Sequence, residues 1–390
     1  DVYKRQAMRH EIPDRVPVFC QLALGHYFLH SGLRPEEIWF TSEGFATALV
    51  TLQQRYRFDG ILINIPGRPA ELLKKVRRIE RTSDHTRLIW DTGETTVVPS
   101  DDNPHHYTSS GDPLPRAVFS ETDPDHLEQI TRVSGYVWNV YHVPPFEGVV
   151  PEQLGSTMPT CFTRTIELVR RMTHGEVSVH GEVFSPFTHF MELFGYQAAL
   201  EALATDADKA SAILDRLTQP VIAWANLQAR LGVDAILISS AFAGGGFISR
   251  KMYQRFVLPF ERKVIMALRD HGIPVYTHTC GRLGDRLDLL AETGTDGVDT
   301  LDPPPLGNVE LIDAKKQIGD RLFIKGNLNS VKLLSLSEPC EVEEMVFGCL
   351  RAGAPGGGYV LSTACSVAPR VEPWKLEMLV QLAETYGRYG

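Results

Sequence analysis

The sequence has few cysteines, and no two of them form a C-x-x-C pair. Six cysteines occur in 390 residues, too few for a secreted scaffold held together by disulfides. They stand at positions 20, 161, 280, 340, 349 and 365. We therefore expect free thiols in a reducing compartment. Most of them should be inert and buried, because a free cysteine packs as a small hydrophobic residue.

The sequence also has fewer basic residues than acidic residues. The 39 Lys and Arg residues are outnumbered by 48 Asp and Glu residues, which gives a formal charge of −9. Nucleic acids and anionic membrane surfaces attract basic proteins, so neither is expected as the main partner. No apolar run approaches the roughly 20 residues that cross a bilayer. Residues 1–6 contain neither an initiator Met nor the apolar core of a signal peptide. We expect those residues to be non-native and the protein to be cytoplasmic.

Short β-branched runs recur along the chain, most of them after turn residues and before a helical stretch. Eight such runs are predicted to be strands, at residues 16–21, 60–65, 176–183, 234–239, 274–280, 297–302, 322–327 and 359–365. Strands that alternate with amphipathic helices pair in parallel through right-handed crossovers. Eight of them predict an α/β fold that closes into a (β/α)8 TIM barrel.

One interval interrupts this alternation. More than a hundred residues separate the second predicted strand from the third, and they include two alternating runs at 76–81 and 86–99 and a helical stretch at 127–133. We predict one domain over residues 1–390, with a β-rich insertion of about residues 70–160 between strands 2 and 3. Such insertions often cover the substrate.

Two helices carry specific boundary signals. Ser249 is predicted to cap a long helix that ends near Gly272. Residues 206–229 are predicted to form another helix, with Pro220 marking a kink or a break.

The sharpest chemical feature is His278-Thr279-Cys280 at the end of the fifth predicted strand. Residues two apart on a strand point to the same face, so His278 and Cys280 can chelate one ion. Cys365 ends the eighth predicted strand, and active sites of barrels lie at these strand ends. One imidazole and two thiolates suit Zn²⁺ better than Mg²⁺, and three protein ligands leave an open position. The alternative is that all three residues are packing residues, because an H-x-C pattern alone has little specificity. Strands five and eight are not neighbours in the barrel, so the Cys365 loop must bend inward over the mouth.

Glu182 is the first candidate catalytic residue. It lies on the third predicted strand in phase with Ser178 and His180, whereas valines occupy most of the alternate positions. The three polar side chains are therefore expected inside the barrel, where a carboxylate needs a partner or a function.

Asp302 and Asn327 are the other two candidates. Asp302 ends strand six with Asp299 on the opposite phase, and either could be a displaceable fourth zinc ligand or a base. The alternative is that one of them caps the strand or pairs with Lys325. Asn327 ends strand seven, where it could form hydrogen bonds at the barrel mouth.

Four stretches of the chain resemble the uroporphyrinogen decarboxylase-like superfamily: IPDRVP at 12–17, FTHFMELFG at 187–195, ISRKMYQRFVLP at 248–259, and the pair at 326–327. Within this resemblance, H-x-C followed some eighty residues later by a strand-ending cysteine is similar to the zinc motif of the methylcobalamin:coenzyme M methyltransferase branch. The resemblance implies that His278, Cys280 and Cys365 bind Zn²⁺. It also implies methyl transfer between a corrinoid and a thiol or a methylated small molecule.

The sequence departs from this family in two places. The decarboxylase has an R-Q-A-G-R segment that binds the propionates of its substrate, whereas residues 20–25 here read CQLALG. A polyanionic tetrapyrrole would therefore lack cationic partners. Leu301 stands where the methyltransferase branch can have an acidic fourth ligand, with Asp302 next to it. The chain has no corrinoid-binding D-x-H-x-x-G segment, so a separate corrinoid protein is the expected methyl partner.

Three functions remain open at this point. The first is a zinc-dependent methyltransferase, because zinc lowers the pKa of a bound thiol and so activates it as a nucleophile. In the reverse direction, zinc could polarise a methyl ether or amine whose methyl group passes to a reduced corrinoid. The second is a metal-free decarboxylase of the uroporphyrinogen type. The third is a non-catalytic module that binds a corrinoid or a tetrapyrrole.

Overall fold

Seven parallel strands form the main sheet of the protein in a computed structural model, which describes residues 6–130, 133–137 and 158–389. The sheet is curled, and its strand order is β1-β6-β7-β8-β9-β10-β11. The strands are β1 (Gly60–Ile63), β6 (Ser178–Phe184), β7 (Ala235–Ser239), β8 (Val275–Thr279), β9 (Gly297–Thr300), β10 (Phe323–Leu328) and β11 (Tyr359–Thr363). All seven coincide with predicted strands.

The first predicted strand, at residues 16–21, does not form a strand. Val18 makes a single parallel bridge to Leu361 of β11, and its carbonyl accepts a hydrogen bond from the amide of Asp59, next to β1. Two hydrogen bonds form this bridge, from the Phe19 amide to the Leu361 carbonyl and from the Leu361 amide to the Pro17 carbonyl. Other donors of the segment do not extend it. Pro17 has no N–H, and the Val18 amide donates to the Asp59 carboxylate at 2.7 Å. The extended segment therefore lies between β11 and β1 without continuing the ladder, and the prediction of an eight-stranded barrel is correct for seven strands.

Three of the helices precede β1, and the others follow strands of the main sheet. They are α1 (Leu24–His30), α2 (Pro35–Phe40), α3 (Ser42–Tyr56), α4 (Arg164–Met172), α5 (Pro186–Phe194), α6 (Tyr196–Thr205), α7 (Ala207–Arg230), α8 (Arg250–Phe256), α9 (Leu258–Leu268), α10 (Leu287–Glu292), α11 (Leu311–Ile318), α12 (Ser330–Ser335), α13 (Pro339–Gly353) and α14 (Pro373–Tyr386). Among the described residues, no helix is both long enough and apolar enough to cross a membrane.

Two helix boundaries show how proline acts. The Ser249 side chain caps α8 by accepting from the amide of Met252, as predicted. The predicted long helix is nevertheless two helices, because Pro259 has no N–H with which to continue the first and lies in the first turn of the second, which begins at Leu258. Pro220, in contrast, lies inside the single helix α7, so it does not break that helix.

A separate antiparallel sheet lies between β1 and β6 in the chain. Its strands are β2 (Val76–Arg81), β3 (His85–Trp90), β4 (Thr95–Pro99) and β5 (His105–Tyr107), in that order. They fall within the predicted β-rich insertion. The helix expected at 127–133 is instead a 3-10 helix over Pro124–Gln129, capped by the Asp123 side chain. Residues 131–132 and 138–157 of the predicted insertion, and residues 1–5 of the expected non-native start, lie outside the described residues.

The interior of the curled sheet is filled at its N-terminal end. A small hydrophobic cluster of its inward side chains includes Leu237, Tyr276, Phe323 and Val360, and Phe19 of the extended segment joins it. This packing leaves space only near the C-terminal ends of the strands, where the candidate site residues lie.

Candidate metal centre

Three ligand atoms meet at the C-terminal ends of β8 and β11. His278 Nε2 lies 3.3 Å from Cys280 Sγ, and Cys280 Sγ lies 3.7 Å from Cys365 Sγ. All three ligand atoms lie within 4.8 Å of one another. A tetrahedral zinc with ordinary Zn–N and Zn–S bond lengths would hold its nitrogen about 3.6 Å from each sulfur and its sulfurs about 3.8 Å apart. These two distances and the donor types therefore fit Zn²⁺.

The curl of the sheet brings these ligands together. β8 and β11 are separated by β9 and β10 in the strand order, so the cysteines meet across the interior rather than along the sheet. Cys280 follows β8 directly, and Gly281 turns the chain with a φ of 80°. The Gly281 amide donates to Asp302 Oδ2 at 2.6 Å, which holds this turn in place. Cys365 lies two residues beyond the end of β11, where its sulfur approaches that of Cys280.

Partner residues orient the imidazole. His278 Nδ1 lies 2.9 Å from Asp299 Oδ2 and 2.9 Å from Thr300 Oγ1. The other Asp299 oxygen accepts from Lys325 Nζ at 2.9 Å, and all these side chains are buried. Burial alone would raise the pKa of Asp299, but Lys325 and His278 outweigh it and the pKa is lowered. An ionised Asp299 directs the Nδ1–H of His278 toward itself and leaves Nε2 facing the two sulfurs.

The site without metal holds a proton between the ligands. Burial lowers the pKa of His278, but Asp299 and the Cys365 sulfur outweigh it and raise the pKa to about 10. The Cys280 thiol donates a hydrogen bond to Cys365, and this bond together with His278 lowers the pKa of Cys365 despite burial. The same bond and burial raise the pKa of Cys280. A metal ion would replace protons that the ligands share, which is the behaviour of a preformed metal site.

A cavity of about 240 Å³ opens beside the three ligands. Its polar wall includes Glu182, Ser239 and Asn64, and its apolar wall includes Phe184 and Phe242. Asn103, Tyr136 and Val137, from the predicted insertion, also line it. Within the part of the chain that the structure describes, its lining contains no Lys or Arg.

Glu182 is a buried carboxylate in this wall. Its side chain is 5% exposed, and the Ser239 hydroxyl hydrogen-bonds to it. Among the described residues, its Oε2 atom has no hydrogen-bond partner. Burial raises the pKa of Glu182 to about 7, although His278 and Ser239 act in the opposite direction. Glu182 is therefore the predicted site residue with unused hydrogen-bonding capacity toward the cavity.

The other predicted catalytic residues lie elsewhere. Asp302 contacts the Gly281 amide and does not line the cavity. Asn327 is buried, donates to the carbonyl of Leu301 at 2.9 Å, and lies outside this cavity. Asp299 forms the ion pair with Lys325 that was one of the two alternatives for the acids of strand six. His180, expected inside the barrel with Glu182, contacts Ser178 and the Tyr276 hydroxyl below the site.

Several cavity residues were not singled out from the sequence. Tyr136 and Phe184 pack edge to face, with ring centroids 5.8 Å apart, and Glu192 lies beside them. Tyr136 comes from a segment without strand or helix periodicity, so no sequence pattern pointed to it. Phe184 ends the same strand as Glu182, and its position at a strand end was an available signal.

Comparison with known proteins identifies the family. The pattern of the uroporphyrinogen decarboxylase (URO-D) family matches residues 145–386. The chain therefore belongs to the uroporphyrinogen decarboxylase family, as its motifs predicted. Relatives include the uroporphyrinogen decarboxylase of Syntrophotalea carbinolica, 31% identical over 224 residues that cover 55% of this chain and 62% of the relative. That of Escherichia coli O81 is 28% identical over 253 residues, 61% of this chain and 67% of the relative. The chain thus spans less than two thirds of the length of the first.

Solved structures share the fold over almost the whole chain. A methyltransferase from Methanosarcina mazei has a TM-score of 0.70 at 18% identity and covers 99% of this chain and 98% of its own. A B12-independent methionine synthase from Shewanella sp. W3-18-1 has a TM-score of 0.51 at 13% identity and covers 95% and 97%. At these identities the likeness shows the fold alone.

Proposed function

We propose that this protein is a zinc-dependent methyltransferase that moves a methyl group from a separate corrinoid protein to a small thiol. The observation that carries the proposal is the convergence of His278 Nε2, Cys280 Sγ and Cys365 Sγ at distances that suit one tetrahedral Zn²⁺. Three protein ligands leave the fourth position free, and the cavity opens beside them. The name of the Methanosarcina mazei structural neighbour is consistent with this activity.

The bound metal would lower the pKa of a thiol at the open position, so that the acceptor is a thiolate near neutral pH. Asp299 keeps the His278 ring oriented, and Asp302 fixes the turn that presents Cys280. In the overall reaction a C–S bond forms while the cobalt–carbon bond breaks. Both electrons of the broken bond stay on cobalt, which passes from Co(III) to Co(I), and the thiol proton leaves to solvent.

The size and charge of the cavity argue against the decarboxylase activity that the sequence relatives carry in their names. Its volume of about 240 Å³ lies below the range of about 300–1,000 Å³ typical of drug-sized ligands. In the described part of the chain, its lining offers no cation to the carboxylates of a tetrapyrrole. The cavity also has no room for a corrinoid, which supports a corrinoid bound on a partner protein as methyl donor.

Zinc content and methyl transfer test the proposal together. We expect about one zinc per chain after purification under reducing conditions, because three good ligands retain the metal. Methylcobalamin should be demethylated when a panel of thiols is supplied, and the reverse reaction should be assayed with methylated amines and ethers. Cys280→Ser should lose zinc and activity, whereas Cys340→Ser, at an exposed cysteine, should keep both. A zinc-free protein that converts uroporphyrinogen would overturn the proposal in favour of the decarboxylase.

A ligand-binding role without catalysis predicts a different result. In that case Cys280→Ser would remove zinc but leave corrinoid or tetrapyrrole binding unchanged, and no methyl transfer would be measured in either protein.

A further inference from the structure

The cavity beside the three ligands contains a carboxylate, Glu182, one of whose oxygens has no hydrogen-bond partner among the described residues. We infer that the acceptor is an aminothiol, a short thiol whose other end carries a positively charged amine and no anionic group. The inference rests on the proposed function, since it names the substrate class of the same site. The observations behind the inference are the charge of the cavity lining, the aromatic rings in that lining and the size of the cavity.

Glu182 would hold the amine. Its Oε2 is buried at the cavity and has no partner among the described residues. The second carboxylate of the wall, Glu192, is already used. It pairs with Arg116, accepts from the Tyr136 amide at 3.1 Å and from the Tyr196 hydroxyl at 3.3 Å. An ammonium group would give Glu182 the charge-assisted hydrogen bond that the protein does not supply.

Among the described residues, the Lys and Arg side chains nearest the cavity are already paired with carboxylates. Lys325 is paired with Asp299 and lies over the Phe19 ring, and Arg116 is paired with Glu192. Within the described ranges, the lining has no Lys or Arg. A sulfonate or carboxylate in this space would face Glu182 without compensation, and like charges brought together strongly disfavour binding.

Aromatic rings complete the recognition of a cation. Tyr136 and Phe184 line the cavity together with Glu182, in an edge-to-face pair. Ring faces attract ammonium groups, most strongly where water is excluded. Phe242 adds a third ring to the lining.

Geometry limits the length of the aminothiol. Glu182 lies on β6 and His278 on β8, two strands apart. In the register of the sheet Glu182 is level with Leu237 and Tyr276, two residues before His278, so strand spacing and rise together separate the Cα atoms of Glu182 and His278 by about 12 Å. Both side chains point into the intervening space, so a linker of a few carbons reaches from a sulfur at the ligands to an amine at Glu182. A cavity of about 240 Å³ accommodates a molecule of that size.

Three thiols of similar size separate the possibilities. Cysteamine carries an ammonium group, 2-mercaptoethanol is neutral, and 2-mercaptoethanesulfonate is anionic. Binding to the zinc-loaded full-length chain is measured by calorimetry, which does not depend on activity. We expect cysteamine to bind most tightly and 2-mercaptoethanesulfonate most weakly. Because the thiols differ in acidity, the decisive quantity is the change in each dissociation constant between the original protein and Glu182→Gln.

Glu182→Gln should weaken cysteamine binding by about tenfold or more, the effect of removing a hydrogen bond to a charged group. Binding of 2-mercaptoethanol should stay the same, and that of 2-mercaptoethanesulfonate should improve. Glu261→Gln is the matched control, since Glu261 is a fully buried glutamate outside the cavity and the substitution should leave all three values unchanged. Phe184→Leu is a second variant. It should weaken the binding of cysteamine a few-fold and leave the affinities for the other two thiols unchanged.

The outcomes distinguish this inference from the proposed function. One outcome is that all three thiols bind the zinc-loaded protein and are methylated, but that Glu182→Gln and Phe184→Leu change their three dissociation constants by the same factor. In that case the aminothiol inference is wrong and the methyltransferase proposal stands. Tightest binding of 2-mercaptoethanesulfonate would also overturn the aminothiol inference and leave the methyltransferase in place. If no thiol binds although zinc is present, both are wrong. Should Glu182→Gln fail to fold, the order of the three thiols and the Phe184→Leu result decide.

Discussion

Asp299 links the metal centre to the charge of the protein interior. Its carboxylate contacts His278 Nδ1 and Lys325 Nζ, both at 2.9 Å, so it orients the imidazole while Lys325 keeps it ionised. A group in this position would support a bound metal by orienting its ligand, without touching the metal itself.

Asp299→Asn is predicted to weaken zinc binding by about 10–100-fold, because the ring loses the charged acceptor that fixes its tautomer. Competition with a chromogenic chelator measures the change. Asp313→Asn, at an exposed aspartate paired with Lys316, serves as the control and should have the original affinity. Unchanged affinity in Asp299→Asn would show that the carboxylate contributes only to packing.

Among the elements, α9 packs a carboxylic acid against the end of β7. Glu261 is fully buried, and the Tyr253 hydroxyl donates to its Oε2 at 3.4 Å. Burial raises the pKa of Glu261 to about 7, with Ser240 and Tyr253 acting against the shift. The acid is therefore protonated in the folded protein at a pH where an unfolded glutamate, with its pKa of 4.5, has ionised.

The sign of the resulting pH dependence follows from linkage. The contribution of Glu261 to the free energy of unfolding is complete below pH 4.5, where the side chain is protonated in both the folded and the unfolded state. It is lost as the pH rises toward 7, because only the unfolded chain releases its proton. The shift corresponds to at most about 3 kcal/mol of the free energy of unfolding.

Glu261→Gln should remove this dependence. We expect the variant to lose less stability than the original protein between pH 5 and pH 8, as measured by urea unfolding. The substitution Glu344→Gln, at an exposed glutamate, should follow the original pH profile. Parallel profiles for Glu261→Gln and the original protein would mean that Glu261 is ionised in the folded state.

Elements also show the limits of local sequence signals. The pattern at 16–21 satisfies every rule for a buried strand, yet Pro17 has no donor and the Val18 amide bonds to Asp59, 41 residues away. That contact exists only once the chain has folded. The Ser249 cap, in contrast, is a local interaction with the amide three residues on, and the sequence was enough to predict it.

For the whole molecule, the proposed metal would link distant parts of the curled sheet. Cys280 and Cys365 are 85 residues apart in the chain and follow strands that are not neighbours, yet their sulfurs are 3.7 Å apart. A ligand that binds only the folded state stabilises it in proportion to the logarithm of its concentration over its dissociation constant.

Removal of zinc with a chelator is therefore predicted to lower the melting temperature by several degrees, an effect of about 3–4 kcal/mol if the free zinc is 100–1,000 times the dissociation constant. In Cys280→Ser the chelator should have almost no effect, and Cys340→Ser should respond like the original protein. A melting temperature that does not depend on zinc in the original protein would contradict a metal link between these parts of the sheet.

The sequence by itself determined the alternation of strands and helices, the family, and the residue types of the candidate metal centre. These depend on local periodicity and on short motifs, which are the same in any conformation of the chain. Only the tertiary structure decided that the main sheet has seven strands, that Asn327 and Asp302 lie outside the cavity, and that Glu182 faces it with an unused oxygen. Those outcomes depend on which distant groups form hydrogen bonds with each donor and acceptor. The curl of the sheet determines which groups lie close enough to do so.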